Sequence, residues 1–216
     1  MVIVIREDLN LIYTADTSNR RFRQVTKSGV TTTFAGSGAI SLADGIGTAA
    51  GFSNPLGIAI DSLGDLYVTE CVQRVIRWIT PSAVVSTLGN PADFGEPFGI
   101  SISGNEIIIT DSLLHVVKRM YQNGTTATIA GSSAGFADGI GTSASFNMPF
   151  FCSATRVGLI CIRLKQQWYP SHKSLRSSIH YCWKWDSGTT KWLRWLRFVS
   201  FSNWNWYRRK RGGIYY

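Results

Sequence analysis

The chain has 216 residues, of which 44% are hydrophobic and 16% charged, and its formal net charge is +9 at pH 7. This length allows one or two domains. No run approaches the roughly 18 apolar residues that a membrane helix needs, and charges at positions 6 to 8 interrupt the apolar start before a secretory signal is complete, so we expect no membrane partner and take the cytoplasm as the default compartment.

The first elements predict an antiparallel meander. Met1–Ile5 is rich in β-branched residues and predicts a strand, Arg6–Asn10 predicts its turn, and Gly29–Phe34 predicts a Thr-rich edge strand. Gly124–Ile129 repeats the edge-strand pattern. The preceding Asn123 opens either a glycosylation sequon or an ordinary hairpin turn, and we favour the turn.

A longer stretch, residues 35–70, recurs in shortened form at residues 130–150. Each copy contains the loop sequence Ala-Asp-Gly-Ile-Gly-Thr, followed by Phe-x-x-Pro. We call these segments the first ADGIGT loop (Ala43–Thr48) and the second ADGIGT loop (Ala137–Thr142). Self-similarity at a spacing of roughly 40–50 residues indicates a repeat architecture.

Short predicted strands follow the first loop. They are Leu56–Ile60, Asp65–Thr69, Arg74–Ile79 and Val84–Leu88, with a Gly- and Asp-containing turn at Asp61–Gly64. Four short strands separated by turn clusters form a meander. A four-stranded meander repeated about every 40–45 residues is the blade of a β-propeller, so we predict an all-β fold.

The repeats align on an acidic residue that closes the second strand and on a base seven positions later. The acid and base pairs are Asp16 and Arg23, Glu70 and Arg77, and Asp111 and Lys118. The acids could gather into a polar ring on the propeller axis. We favour the alternative, in which each acid caps its strand end or pairs with its base.

These motifs resemble the NHL-repeat family of β-propellers. The resemblance rests on F-x-x-P-x-G-I-A-I-D, L-Y-V-x-(D/E), the spaced base and T-T-x-A-G-S-G, and it covers Val2 to Phe150. It implies a rigid platform that binds protein partners through loops on one face. Some NHL-like propellers are lyases or hydrolases and some bind RNA through a basic face, so an enzyme with an axial metal and an RNA-binding propeller are the alternatives.

The ADGIGT loops are the candidate partner-facing residues. They contribute Asp44, Gly45, Gly47, Asp138, Gly139 and Gly141. A phosphate loop would need a Lys-Ser/Thr pair and a following helix, and a calcium loop would need several oxygen ligands on alternating positions. Neither pattern is present, so we expect inter-blade loops and no cofactor.

Catalytic and metal-binding patterns are weak. His115 is the only histidine before residue 150, and no nucleophile elbow accompanies it. Cys71 gives no disulfide framework. The later cysteines and histidines lack metal-ligand spacing. We therefore predict no catalytic residue, no metal and a non-catalytic protein that binds an unidentified protein partner.

The composition changes abruptly after Phe150. Residues 1–150 hold nine bases and twelve acids, whereas residues 151–216 hold thirteen bases, one acid and seven of the eight tryptophans. Such a basic, aromatic tail could bind nucleic acid or a membrane surface. Because no recognisable module surrounds these residues, we favour a third hypothesis, in which the tail is the repeat translated in the wrong frame.

Synonymous codons allow a test of this frame slip. Read one nucleotide later, Ile160–His172 can encode YVSDSNNNGIRRI, Ile179–Trp185 can encode STIAGSG, and residues 202 onward can encode PIGIGIDE. All three match the repeat in the right order. We place the slip between about Phe150 and Val157, and expect nucleic-acid binding only if the tail is genuine.

The sequence thus predicts two regions. Residues 1–150 form about three propeller blades, an incomplete ring when closed rings typically need about 4–8 blades. Residues 151–216 are expected to be irregular and disordered. We interpret the chain as a fragment of a longer propeller, and expect an open arc of blades to be marginally stable or to associate, because its edge strands lack partners.

Overall fold

A computed structural model describes residues 3–155, 158–163 and 178–182, and within these residues the chain is all-β. Its strands are β1 Ile3–Arg6, β2 Leu11–Asp16, β3 Arg21–Thr26, β4 Thr31–Ala35, β5 Gly45–Ile46, β6 Pro55–Ile60, β7 Leu66–Glu70, β8 Val75–Ile79, β9 Val84–Leu88, β10 Pro97–Ser103, β11 Glu106–Asp111, β12 Val116–Tyr121, β13 Thr126–Ala130, β14 Phe151–Thr155, β15 Gly158–Arg163 and β16 Ser178–Cys182. The helical segments are single 3-10 turns at Glu7–Leu9, Thr17–Asn19, Gly47–Ala49, Pro91–Asp93 and Gly141–Ser143.

The strands form antiparallel sheets whose members pair in chain order. Blade 1 is β1–β4, blade 2 is β6–β9, blade 3 is β10–β13 and blade 4 is the three-stranded sheet β14–β16. Strand β5, from the first ADGIGT loop, adds to the outer edge of blade 2 beside β9. The predicted four-stranded meanders are therefore confirmed, with boundaries within one or two residues of the expected ones.

Apolar side chains alternate along each blade and fill the space between neighbouring blades. In β7, Leu66 and Val68 join Phe22 and Tyr13 of blade 1, whereas Tyr67 faces the opposite way and joins the core shared with blade 3. A third core packs blade 3 against the segment that precedes blade 4. Each fully buried aliphatic or aromatic side chain contributes about 1.5–3 kcal/mol, so these interfaces hold the blades together.

Threonine side chains connect the innermost strands of neighbouring blades. The Thr69 hydroxyl accepts the Gly57 N–H at 2.8 Å and donates to the Phe98 carbonyl of the next blade at 2.8 Å. In blade 3, Thr110 accepts the Gly99 N–H at 2.9 Å in the same way. A Cβ at Gly57 would lie 2.5 Å from the Phe98 carbonyl oxygen, so the blades approach this closely only because that residue is glycine.

The segment after residue 150 differs from the expectation. We predicted irregular structure there, but the described residues form β14, β15 and β16, paired in regular antiparallel register. The physical reason is local. Phe151–Thr155 takes the position of the first strand in the earlier blades, and the largely apolar segment Gly158–Arg163 pairs with it. The basic clusters around Lys184, Lys191 and Arg194 lie outside the described residues, as do residues 156 and 157 in the proposed frame slip.

Among the described residues, none belongs to a helix long and apolar enough to cross a membrane.

Candidate interaction face

Two kinds of connection meet on one face of the blades. The turns between second and third strands, at residues 17–20, 71–74 and 112–115, lie beside the loops that lead into the first strands. Hydrogen bonds join the two sets, as when the Ser112 N–H donates to the Glu96 carbonyl at 2.9 Å. We call this surface the turn face.

Glu70 anchors the turn face in blade 2. Its side chain is 0% exposed and its carboxylate accepts the Asn54 N–H at 2.6 Å and the Ser53 N–H at 3.2 Å. These donors are the two residues between Phe52 and Pro55 in the Phe-x-x-Pro motif. The predicted strand-end cap is thus present, and its function is to hold the incoming loop against the end of β7.

Asp111 forms the same clasp in blade 3. It is 0% exposed and accepts N–H groups from Gly95 at 2.7 Å, Glu96 at 3.0 Å and Leu114 at 3.0 Å. Gly95 and Glu96 lie within Phe94-x-x-Pro97, a third copy of the motif that our sequence reasoning missed. The shared spacing of Phe-x-x-Pro to the strand-end acid could have identified it.

Asp16, the equivalent acid in blade 1, has different partners. Its carboxylate accepts both its hydrogen bonds from the Asn19 amide, at 2.9 and 3.0 Å. Among the described residues, no incoming loop donates backbone N–H groups to it. The three aligned acids are therefore strand-end caps, two of them engaged with a Phe-x-x-Pro loop.

The sequence left two alternatives for each acid, a strand-end cap or pairing with its base, and in blade 2 the base pairs with Asp44 and not with Glu70. Arg77, also 0% exposed, donates to the Asp44 carboxylate at 2.9 Å and to the carbonyls of Gly51 and Ala43 at 3.0 and 3.1 Å. Its guanidinium also stacks 5.2 Å from the centre of the Phe52 ring. Arg77 therefore holds the first ADGIGT loop, while backbone N–H groups hold Glu70.

The first ADGIGT loop is built into blade 2. Asp44 accepts a second hydrogen bond from the Thr87 hydroxyl at 3.0 Å, and Gly45 pairs with Val85 in the sheet. Gly47 has φ of 55° and donates to the Ala83 carbonyl at 2.8 Å. Ile46 is the large apolar side chain that this loop presents to solvent, and it is 65% exposed.

The second ADGIGT loop has the same backbone course with fewer partners. Gly141 has φ of 61° and accepts the Gly131 N–H at 3.1 Å, as Gly47 does from Gly36 in the first loop. Asp138 and Gly139 are exposed, and the loop has no counterpart of β5 among the described strands. Ile140 is 93% exposed.

Blade 3 has neither an ADGIGT loop nor an arginine at the third-strand position. Lys118 occupies it, nearly buried, with its ammonium 5.9 Å from the centre of the Phe94 ring. The outer strand of this blade is covered by the short turn Pro91–Asp93, where Asp93 accepts the Thr126 hydroxyl at 3.0 Å.

Burial opposes both charges inside blade 2. Burial raises the pKa of Glu70, an effect that the N–H groups of Asn54 and Ser53 and the nearby Arg77 partly offset. Burial likewise lowers the pKa of Arg77, which Asp44 and Glu70 oppose. An arginine remains charged under these conditions, so Arg77 and the partly exposed Asp44 form a structural ion pair at 2.9 Å.

Apolar side chains are exposed on the turn face. Val72 in blade 2 and Leu113 in blade 3 occupy equivalent positions, two residues after the buried acid, and are 63% and 51% exposed. Leu114 beside the latter is 41% exposed. Sequence reasoning missed these residues because turns are expected to be polar; their placement after Glu70 and Asp111 was the available signal.

Reactive groups near this face are engaged or unreactive. The His115 Nδ1 accepts the Met148 N–H at 3.1 Å. Burial, with the charges of Glu96 and Asp111, raises the pKa of the Cys71 thiol to about 11, so that thiol stays protonated. The described residues contain no group of three His, Cys, Asp or Glu side chains placed to hold a metal ion.

No protein-family model matches this chain, and no curated protein matches it either. Solved structures do match. A protein of unknown function from Bacteroides thetaiotaomicron is 19% identical with a TM-score of 0.59, covering 74% of this chain and 43% of that one. Virginiamycin B lyase from Staphylococcus aureus is 15% identical with a TM-score of 0.54, covering 74% and 46%.

A chain of the nidogen–laminin complex is 15% identical with a TM-score of 0.53, covering 76% of this chain and 71% of that one. These neighbours are β-propeller proteins, so the described blades have the propeller fold. This chain spans less than half the length of the first two. At such identities the likeness shows the fold alone, and the NHL-family assignment stays a prediction.

Proposed function

We propose that this chain is a non-catalytic propeller platform that binds a protein partner through its turn face. The observation that carries the proposal is the exposure of Val72, Leu113 and Leu114 at corresponding turns of neighbouring blades. Exposed apolar side chains that share one surface are typical of protein interaction sites.

The rigidity of the turn face supports the same proposal. Each exposed apolar turn directly follows a buried carboxylate, Glu70 or Asp111, whose hydrogen bonds fix the local backbone. A preorganised surface loses little conformational entropy on binding.

A triple variant tests the platform function. Val72→Ser, Leu113→Ser and Leu114→Ser together remove the apolar turn side chains, and Leu63→Ser is the matched control because Leu63 is 70% exposed in a turn on the opposite face. Quantitative affinity capture from extract of the source cells should recover at least one partner with the wild type and the control, and about tenfold less with the triple variant. Equal recovery by all three proteins would refute the proposal.

A lyase with an axial metal is the alternative function, because virginiamycin B lyase is among the fold neighbours. The described residues offer no ligand cluster for it, so its ligands would come from other parts of the protein. Elemental analysis of the purified full-length protein separates the two proposals: about one equivalent of a transition metal that survives dialysis favours the lyase. Salt-dependent RNA binding would favour the RNA-binding alternative.

A further inference from the structure

The turn face carries a basic side chain at one equivalent position in each of blades 1, 2 and 3. Arg20, Arg74 and His115 each come four residues after the strand-end acid and directly before the third strand. We call these three residues the turn bases. In blades 2 and 3 the exposed Val72 and Leu113 lie two residues earlier in the same turns.

The turn bases hold a backbone conformation that disfavours an arginine. The φ angle is 53° at Arg20, 60° at Arg74 and 59° at His115. Glycine adopts this left-handed region without strain and asparagine tolerates it, whereas a longer side chain is strained there. Backbone stability therefore does not account for the two arginines, and residues strained in this way cluster at functional sites.

The side chains of the turn bases have donors left for a ligand. Arg74 is exposed and forms no side-chain hydrogen bond or ion pair with the described residues. Arg20 is half-buried and donates one long hydrogen bond to the Gly38 carbonyl at 3.5 Å, which leaves its other guanidinium N–H groups. Because the His115 Nδ1 accepts the Met148 N–H, the proton of the neutral ring lies on Nε2 and can be donated.

The carboxylates of the turn face are already hydrogen-bonded within the fold. Glu70 and Asp111 are 0% exposed and accept backbone N–H groups. The half-buried Glu96 accepts a hydroxyl at 3.1 Å, and Asp16 accepts an amide at 2.9 Å. In the three described turns, Arg74 is thus the charged group that has no internal partner, and the charge offered to a ligand is positive.

The apolar side chains beside these donors favour a protein ligand over a nucleic acid. Val72 shares a turn with Arg74, and Met148, which is 43% exposed, contacts His115 through its backbone N–H. None of the described residues in the three turns is Phe, Tyr or Trp, whereas proteins that bind single-stranded nucleic acid stack bases on such rings. Residues 1–150 also hold more acids than bases.

We propose that the partner of the turn face is a protein segment that carries carboxylate side chains among apolar ones. One carboxylate pairs with Arg74, since a guanidinium binds a carboxylate through two parallel hydrogen bonds. Another accepts a hydrogen bond from His115, and the apolar side chains pack on Val72 and Leu113. This inference rests on the proposed platform function and adds the chemistry of the partner to it.

Fluorescence anisotropy with labelled peptides tests the inference on the full chain. The probe is a short peptide of alternating Asp and Leu, and two matched peptides replace every Asp by Lys or every Leu by Ser. The chain should bind the Asp–Leu peptide at least about tenfold more tightly than either matched peptide. Equal binding of the Lys–Leu peptide would overturn the inference, and so would tighter binding of a single-stranded RNA oligonucleotide.

Two variants of Arg74 separate binding from folding. Arg74→Glu should weaken the Asp–Leu peptide at least about tenfold, because it places like charges together. Arg74→Asn should weaken it about as much and leave the urea midpoint at or above that of the wild type, because asparagine tolerates this φ. Lys27→Glu is the matched charge control, exposed in the hairpin between β3 and β4 on the opposite face, and should bind as the wild type does. A lower urea midpoint with unchanged affinity in Arg74→Asn would assign this residue a structural role and overturn the proposal.

The capture experiment distinguishes failure of this inference from failure of the platform function. A captured partner that the triple variant loses but Arg74→Glu retains would leave the platform standing and overturn the acidic segment. Carbodiimide couples carboxylates to adjacent amines, so the Arg74→Lys chain should be joined through position 74 to an Asp or Glu of the captured partner, and Lys27 should not be joined to it. Peptide binding without any captured partner would refute the platform function alone.

Discussion

Blades 2 and 3 share the contact that closes the second strand but differ in the contact made by the third-strand base. Both close the second strand with a fully buried acid that binds the backbone of a Phe-x-x-Pro loop, Glu70 in one and Asp111 in the other. At the third strand they diverge, because Arg77 holds an ADGIGT loop while Lys118 lies over Phe94. The comparison shows that the carboxylate clasp is the common requirement and the outer loop is optional.

The choice between arginine and lysine follows from how many buried backbone groups of the incoming loop need a hydrogen-bond partner. In either blade the Phe-x-x-Pro backbone turns inward and buries N–H groups that need acceptors. A long loop also buries carbonyls, such as those of Gly51 and Ala43, and these require the several donors of a guanidinium. The short loop of blade 3 is served by a lysine ammonium near an aromatic ring.

Replacing the carboxyl group of either clasp by an amide should have the largest effect. Glu70→Gln and Asp111→Asn each present an amide N–H₂ to buried N–H donors, and each should lower the free energy of unfolding by about 2–4 kcal/mol. Urea denaturation measures this loss. Asp16→Asn is the matched control on blade 1 and should cost about 0.5 kcal/mol or less, as surface substitutions do. If the loss of unfolding free energy differed by more than twofold between Glu70→Gln and Asp111→Asn, the two clasps would not be equivalent.

Replacing the third-strand base should lower the free energy of unfolding by different amounts in blades 2 and 3. Arg77→Met leaves two carbonyls and Asp44 without their donor, and should cost about 2–3 kcal/mol. Lys118→Met loses a contact with one ring and should cost about 0.5–1 kcal/mol. The same urea titrations measure both. Equal losses of unfolding free energy for Arg77→Met and Lys118→Met would contradict the view that only Arg77 holds a loop.

The smallest effect concerns pH. Burial raises the folded-state pKa of Glu70 above its ordinary value of 4.5, so the folded protein holds this proton more tightly than the unfolded chain. The stabilisation is fully present below the unfolded-state pKa and is lost as the pH rises through the folded-state pKa. The difference in unfolding free energy between the wild type and Glu70→Gln should therefore fall as the pH rises from 4.5; a difference that grows with pH would contradict this account.

Particular residues show how far sequence reasoning reached. The strand-end acids were identified from their spacing, and the cap preferred for them is what Glu70 and Asp111 form. The partner of Arg77 was not predictable, because Asp44 lies 33 positions away and the two meet only after the loop crosses the blade. The ADGIGT loops were located as inter-blade loops, but whether they contact a partner protein stays a prediction.

The sequence by itself determined the strands, their order and the repeat, because alternation of side chains and turn-forming residues act over neighbouring positions. Only the tertiary structure decided which polar groups meet. Phe52 packs between blades 1 and 2, and as a result Ser53 and Asn54 lie against Glu70. The same packing brings Asp44 to Arg77. No local sequence pattern encodes those distances.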